Sequence, residues 1–289
     1  MEFVRPASLA EALAVRAHRP EAVPLAGGTD VMVELNFDRR RPETLLDLTG
    51  IEELATVSVA DGQVRLGAGV PYARVIDELG GRLPGLAAAS RTVGSPQIRN
   101  RGTVGGNLGA ASPAGDTHPV LLASGARMEL ASVRGSRLVA AERFYLGPGR
   151  TVLAPDELIT AVHLPALSGA EQFSKVGTRN AMVIAVCSLA LVLRPHYVGA
   201  AFGSAGPVPR RAEEAERFLT TELPWDDPAP LPDTLVERFG ALVAGAADPI
   251  DDVRGTADYR RHALAVLARR ALTWAWRDHW NREGVRSCA

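Results

Sequence analysis

The residues with the most chemical promise in this chain are glycines and their polar neighbours, gathered in two stretches. Arg91 to Asp116 holds six glycines in 26 residues, including the run Gly102-Thr103-Val104-Gly105-Gly106-Asn107, and polar residues fill most of the gaps. Glycine lets backbone approach a ligand closely and reach φ > 0, so successive amides can converge on an anion. A pyrophosphate suits such a cradle; the competing reading is a surface loop that needs many turns. Ala26-Gly27-Gly28-Thr29-Asp30, after a short apolar run, is a second cradle of the same kind. Alone, its glycine pair is also what a tight strand-to-helix turn requires. The P-loop pattern GxxxxGK is absent, and no GxGxxG follows a strand. Two cradles in one chain of 289 residues suit a long ligand with a diphosphate in its middle, a dinucleotide before a mononucleotide.

Other reactive side chains are sparse. Lys175 is the only lysine, against 31 arginines, which reads as a coding bias and singles Lys175 out. Cys187 and Cys288 are far apart and form no CxxC pair. An iron–sulfur cluster takes four ligands, so two cysteines do not supply one. The six histidines never form HxH or HxxxH, which leaves a metal site without support. Arg99 and Arg101 flank the long glycine run, where they would neutralise a diphosphate or face solvent or a subunit. Asp116 reads as a ligand contact or a loop cap, and His118 stands next to it. Cys187 reads as core; Trp274, Trp276 and Trp280 read as core or subunit interface. A net charge of -1 gives no electrostatic case for nucleic acid or an anionic membrane. The longest apolar stretch, Ala181 to Leu193, is too short to span a bilayer, and no basic-then-apolar leader stands at the N-terminus. The expectation is a soluble, cytoplasmic protein.

The elements that must position these residues mix helices and strands. Ser8-Leu9-Ala10-Glu11 is a capping box before a helix. Residues 22–25 predict a strand running into the first glycine loop, 31–37 a turn or two of helix, and 44–48 another strand. Val57 to Leu66 alternates around Asp61-Gly62, a strong hairpin signal. Helices are predicted over 71–79, 84–92 and 120–125. A second hairpin is expected around Arg134-Gly135-Ser136, and a closing strand over 158–164. Ala181 to Leu193 predicts a strand buried on both faces. Arg211 to Leu219, Leu235 to Ala244 and Asp258 to Trp280 predict helices, the last with its arginines on a polar side. Residues 1–55, 56–167 and 168–289 form three units, and hairpins among helices argue for α+β.

Five segments in order, Pro24 to Asp30 (PLAGGTD), Ile98 to Asn107 (IRNRGTVGGN), Ala111 to Asp116 (ASPAGD), Lys175 to Arg179 (KVGTR) and Asp252 to Gly255 (DVRG), span nearly the whole chain. In this the sequence resembles the FAD-binding (medium) subunits of the molybdenum hydroxylases, the xanthine dehydrogenase and aerobic carbon monoxide dehydrogenase family. The resemblance implies an α+β chain: a two-subdomain FAD-binding fold of the vanillyl-alcohol-oxidase (PCMH) type over 1–55 and 56–167, then a small C-terminal α+β domain like that of the carbon monoxide dehydrogenase flavoprotein. It implies that Ala26, Gly27, Gly28, Thr29 and Asp30, with Thr103, Val104, Gly105, Gly106 and Asn107, wrap the FAD diphosphate and ribityl chain. Leu25, Val31 and Ser112 flank these loops as further contacts. Asp116 matches an acid that touches the cofactor, Ile159 a hydrophobic backbone contact to the flavin, and Lys175 a lysine beside it. Ala110 stands where many relatives have Thr, which removes a hydroxyl contact. After Leu193 the family has a longer hairpin than Arg194 to Tyr197 supplies.

The resemblance also implies partners. In that family a molybdopterin-containing large subunit oxidises substrate and a small subunit with two 2Fe–2S clusters relays electrons. FAD then passes them to NAD, oxygen or a quinone-type acceptor. Too few cysteines for a cluster fit a chain that works within a heterotrimer, with no catalytic side chain and no metal of its own. The alternatives are a stand-alone flavin reductase of the UDP-N-acetylenolpyruvoylglucosamine reductase type, which PLAGGTD and KVGTR fit poorly, and a cofactor-free interaction module.

Overall fold

The structure is a computed structural model that describes residues 1–166 and 169–287, with side chains up to Asn281. The unit boundary expected at 167/168 and Cys288 therefore lie outside the described residues. The chain opens with β1 (Glu2–Val4), α1 (Leu9–His18), β2 (Val23–Leu25), α2 (Val31–Asn36) and β3 (Thr44–Asp47). The three strands form a parallel sheet in the order β1-β3-β2, and all four residues of β3 are buried. Ser8 caps α1 by accepting the Glu11 amide at 3.2 Å. The Glu11 carboxylate reaches back to the Ala7 amide at 2.8 Å, one residue ahead of the position a capping box predicts.

Next come β4 (Val57–Ala60), β5 (Gln63–Gly67), α3 (Tyr72–Glu78), α4 (Pro84–Thr92), α5 (Pro96–Arg101), α6 (Val104–Ala110), α7 (His118–Ala123), β6 (Arg127–Ser132), β7 (Gly135–Ala140), the ribbon β8 (Tyr145–Gly147) with β9 (Arg150–Thr151), and β10 (Leu158–Pro165). Five strands pair antiparallel in the order β4-β5-β10-β6-β7. The first hairpin turns on Asp61 and Gly62, both at positive φ, as Asp-Gly predicts. The second turns on Val133-Arg134 and not later, because Gly135 already pairs with Ser132. One sheet face carries Val64, Leu66, Met128, Leu130, Val162 and Leu164, which pack with Val75, Leu86, Leu108 and Leu121 of the helices. Each such side chain contributes about 1.5–3 kcal/mol on burial.

The C-terminal part contains β11 (Ala170–Val176), β12 (Cys187–Arg194), β13 (Tyr197–Gly203), β14 (Arg210–Arg211), α8 (Glu213–Glu222), α9 (Asp233–Gly245) and α10 (Ala257–Ser287). Its antiparallel sheet runs β11-β12-β13-β14. Leu189, Leu191 and Phe202 pack with Phe239, Leu264 and Leu272, while Ala190, Val192 and Ala201 belong to the core of the preceding unit. Burial on both faces accounts for the unbroken apolar run in β12. The strand starts only at Cys187, however. Residues 181–186 form a loop in which Met182 has positive φ and, with Ile184, stays exposed. Pro195-His196 alone closes the β12–β13 hairpin, with Arg194 opposite Tyr197 and His196 left-handed. Among the described residues no helix is long and apolar enough to cross a membrane.

Strand β11 grips α4 by both ends. The Glu171 carboxylate accepts the Gly85 amide at 2.9 Å, and Lys175 Nζ donates to the Thr92 carbonyl at 3.2 Å. Four strand residues span about 13 Å, and a nine-residue helix about 13.5 Å. The acid sits at the positive end of the helix dipole and the base at the negative end. Tyr197 adds a tie, its hydroxyl donating to Ala123 O at 2.8 Å.

Candidate functional site

The long glycine stretch is not a loop. It folds into α5 and α6, each with a side-chain cap: Ser95 Oγ accepts the Ile98 amide at 3.4 Å and Thr103 Oγ1 the Gly106 amide at 2.9 Å. Helix propensity hides this, since each interior glycine costs about 1 kcal/mol relative to alanine. What fixes α6 is its bed. The Gly105 amide donates to Ala68 O at 3.2 Å, and Tyr72 N donates to Gly102 O at 3.0 Å. Thr103 forms a bridge with Pro71. A Cβ on Gly105 would lie 2.5 Å from both Cβ and O of Ala68, so only glycine fits there. Ala68 N in turn donates to Thr160 O at 3.0 Å, where the pairing of β10 shifts register between Ile159 and Ala161. Ile159 thus stands one residue from the bed of α6, 9% exposed.

The first loop lies across the second. A Cβ on Gly27 would run into the Arg101 carbonyl and the Gly102 amide. A Cβ on Gly106 would lie 3.7 Å from Ala26 Cβ. Gly28 has φ +77°, which glycine adopts freely. Leu25 ends β2 and is half-buried. Beyond Gly28 the loop opens to solvent. Asp30 is exposed and makes no capping bond to α2, which buries none of its residues. The side chains of Thr29, Asp30 and Val31 make no hydrogen bond among the described residues.

Behind α6 lies a buried polar floor. Thr117 Oγ1 donates to Asn107 Oδ1 at 2.9 Å, and His118 Nε2 is 3.2 Å from Asn107 O. Burial lowers the His118 pKa to about 4, so the ring is neutral at pH 7. Ser112 Oγ accepts the Ala114 amide at 3.2 Å. Asp116 Oδ2 accepts from Lys175 Nζ at 2.6 Å and from Thr92 Oγ1 at 3.1 Å, and both members of the ion pair are 8% exposed. Burial raises the Asp116 pKa, while the charge and hydrogen bond of Lys175 and the hydrogen bond of Thr92 oppose it. Asp116 Oδ1 and the Tyr145 hydroxyl are buried with no hydrogen-bond partner among the described residues. A buried acceptor left unmatched costs about 1–3 kcal/mol, so Asp116 Oδ1 is an acceptor awaiting a donor.

The expected residues thus fall into three groups. Ala26, Gly27, Thr103, Val104, Gly105, Gly106 and Asn107 come together; Ser112, Asp116 and Lys175 form the floor beside them. Asp30 and Val31 stand on the rim. Arg99, read as a possible diphosphate partner, instead donates to the carbonyls of Arg91, Val93 and Gly94 and holds the turn before α5. Sequence reasoning missed Ala68, Tyr72, Thr92, Thr117 and Tyr145. Thr92 is 24 residues from Asp116 and 83 from Lys175, a separation no local pattern reports.

Comparison with known proteins finds relatives over nearly the whole chain. Residues 1–167 match the family described as the FAD binding domain in molybdopterin dehydrogenase, and 172–275 the CO dehydrogenase flavoprotein C-terminal domain. The chain is 31% identical to the xanthine dehydrogenase FAD-binding subunit of Escherichia coli O157:H7 over 285 residues, 94% of this chain and 95% of that one. It is 32% identical to the carbon monoxide dehydrogenase medium chain of Afipia carboxidovorans over 286 residues, again 94% and 95%. Among solved structures, the carbon monoxide dehydrogenase of Hydrogenophaga pseudoflava aligns with a TM-score of 0.89 at 28% identity, covering 96% of this chain and 97% of that one.

Proposed function

Because this chain belongs to the FAD-binding subunits of the molybdenum hydroxylase family, the xanthine and carbon monoxide dehydrogenase type, we propose that it is the electron-transfer subunit of a molybdenum-containing hydroxylase or dehydrogenase. In this reading it receives electrons from 2Fe–2S clusters on a small subunit and passes them to NAD or another acceptor, while a molybdopterin-containing large subunit oxidises the substrate. We place the complex in the cytoplasm, as a heterotrimer or its dimer, and divide this chain at residues 55 and 167.

The observation that carries the reading is the cradle itself. Gly27 leaves no space for a side chain against Arg101 and Gly102, and Gly105 none against Ala68, so three backbone segments lie in direct contact. A buried carboxylate oxygen beside it lacks a donor. FAD offers what this surface lacks: a diphosphate for backbone amides, and ribityl hydroxyls and a flavin imide N–H for an acceptor such as Asp116 Oδ1. The bound flavin supplies the redox chemistry. The chain's part is to bind, orient and shield. Gly27, Gly28 and Thr29 present backbone amides to the diphosphate. Thr103, Gly105, Gly106 and Asn107, with the amides of Gly105, Gly106 and Asn107 bonded to Ala68 O, Thr103 Oγ1 and Thr103 O, form the wall it lies against. Leu25, Ala26, Val31, Val104 and Ser112 line the approach, and Ile159 offers backbone toward the ring. The charge and hydrogen bond of Lys175 oppose the burial that raises the Asp116 pKa.

Purification of the full chain with its co-expressed neighbours tests this. The expected result is a yellow complex with one FAD per chain and both partner subunits retained. Reduction of an enolpyruvyl sugar by the isolated chain with NADPH would instead favour the stand-alone reductase.

A further inference from the structure

The polar floor contains one residue that bonds both members of the ion pair, Asp116 through its side chain and Lys175 through its backbone. Thr92 is the last residue of α4, and its carbonyl, an open acceptor at a helix C-terminus, takes Lys175 Nζ at 3.2 Å. Its hydroxyl lies 2.7 Å from Ala89 O and 3.1 Å from Asp116 Oδ2. A hydroxyl has one proton and two lone pairs, so it cannot donate to both oxygens at once. With Asp116 ionised, the proton points to Oδ2, where the bond is charge-assisted. Thr92 thus reaches Asp116 through its hydroxyl and Lys175 through its carbonyl.

The same contacts decide where Asp116 points. Two donors hold Oδ2, one of them fixed at its far end by α4, so the carboxyl cannot rotate to exchange its oxygens. Oδ1 is left buried and without a partner. We propose that Thr92 is a positioning residue of the cofactor site: through its hydroxyl and carbonyl it locks Asp116 and Lys175 so that Oδ1 is presented to a donor on the bound flavin nucleotide. This rests on the FAD reading given above. Valine at position 92 would keep the shape and the carbonyl contact to Lys175 but lose the hydroxyl; serine would keep the hydroxyl.

The test is FAD titration of the full chain as wild type, Thr92→Val and Thr92→Ser, followed by flavin fluorescence and absorbance across pH 5–9, with melting temperatures of the apo forms alongside. The expected result is a roughly tenfold weaker Kd for Thr92→Val, the size of one lost hydrogen bond to a charged group. Its binding should also depend on pH differently from wild type. Thr92→Ser should restore both. Thr92→Val within twofold of wild type with an unchanged pH profile would overturn the proposal, as would Thr92→Ser behaving like Thr92→Val. If Thr92→Val does not fold, Thr92→Ala against Thr92→Ser carries the same comparison. A wild-type chain that binds no FAD would contradict the cofactor reading itself and is read separately.

Discussion

The two glycine loops meet where Gly27 lies on Arg101 and Gly102, yet they are built differently. Thr103 to Asn107 is the start of a helix seated on Ala68, capped by Thr103, backed by Thr117 and His118, with Thr103, Val104 and Gly105 buried. Ala26 to Val31 meets it at Gly27, against Arg101 and Gly102, and at Ala26, near Gly106, and runs into a helix with no buried residue. One wall of the site is thus part of the core, and the other rests on it from outside. The difference follows from what each glycine does. Gly105 removes a side chain so that a helix can meet a strand end, whereas Gly28 supplies a φ of +77° for a turn open to solvent. A rigid wall can be preformed without ligand. A rim that buries no residue of its helix gains order when the ligand packs against it.

Substitutions can break or sharpen that contrast. The largest effect is expected at Lys175, the fixture of the floor. Lys175→Met leaves Asp116 buried without its counter-charge, which costs about 3–5 kcal/mol, and denaturant unfolding should show that loss together with loss of FAD. Gly105→Ala forces α6 off Ala68 and should cost about 1–3 kcal/mol as overpacking does, while abolishing FAD binding. At the rim, Gly28→Ala should lose about 1–2 kcal/mol in stability but weaken FAD binding far more than its melting temperature suggests. Equal stability losses at positions 28 and 105 would erase the proposed contrast.

Acid titration probes the sheet beneath the rigid wall. Glu129 accepts from Arg65, His163 and Thr160, and chiefly the Arg65 hydrogen bonds bring its pKa down from 4.5 to about 2. A lowered folded-state pKa gives stability that is present above pH 4.5 and lost as the pH falls toward 2. Asp116 has the opposite sign: its raised pKa makes its contribution shrink as the pH rises through that value. Thermal melts from pH 7 to 3 should therefore fall, and Glu129→Gln should flatten that fall. The smallest effect belongs to Gly109, where a Cβ meets nothing within 4 Å. Gly109→Ala within α6 should stabilise by up to about 1 kcal/mol and leave FAD binding unchanged.

Much of the fold was legible because its signals are local. Asp61-Gly62 named a hairpin, Ser8 named a cap, and the helix expected over roughly 84–92 is α4. The glycine stretch misled because propensity argues against helix where tertiary contacts impose it, and Ala181 to Val186 misled because an apolar run does not show which of its residues face water. The candidate site was legible as segments but not as a surface. PLAGGTD and IRNRGTVGGN mark the two walls, yet that Gly27 rests on Arg101, or that Thr92 joins Asp116 to Lys175, depends on contacts between segments far apart in the chain. Arg260 shows the same limit. It lies on the expected terminal helix but turns inward, where it donates to Val186 O and Ser204 O and pairs with Asp252.

Hydrogen exchange of the full chain with and without FAD tests the central claim most directly. The account predicts one FAD bound per chain, amides of Val104 to Asn107 slow to exchange even before FAD is added, and amides of Ala26 to Val31 slowed chiefly on binding. Absence of FAD binding, or binding that leaves the exchange of both loops unchanged, would contradict it.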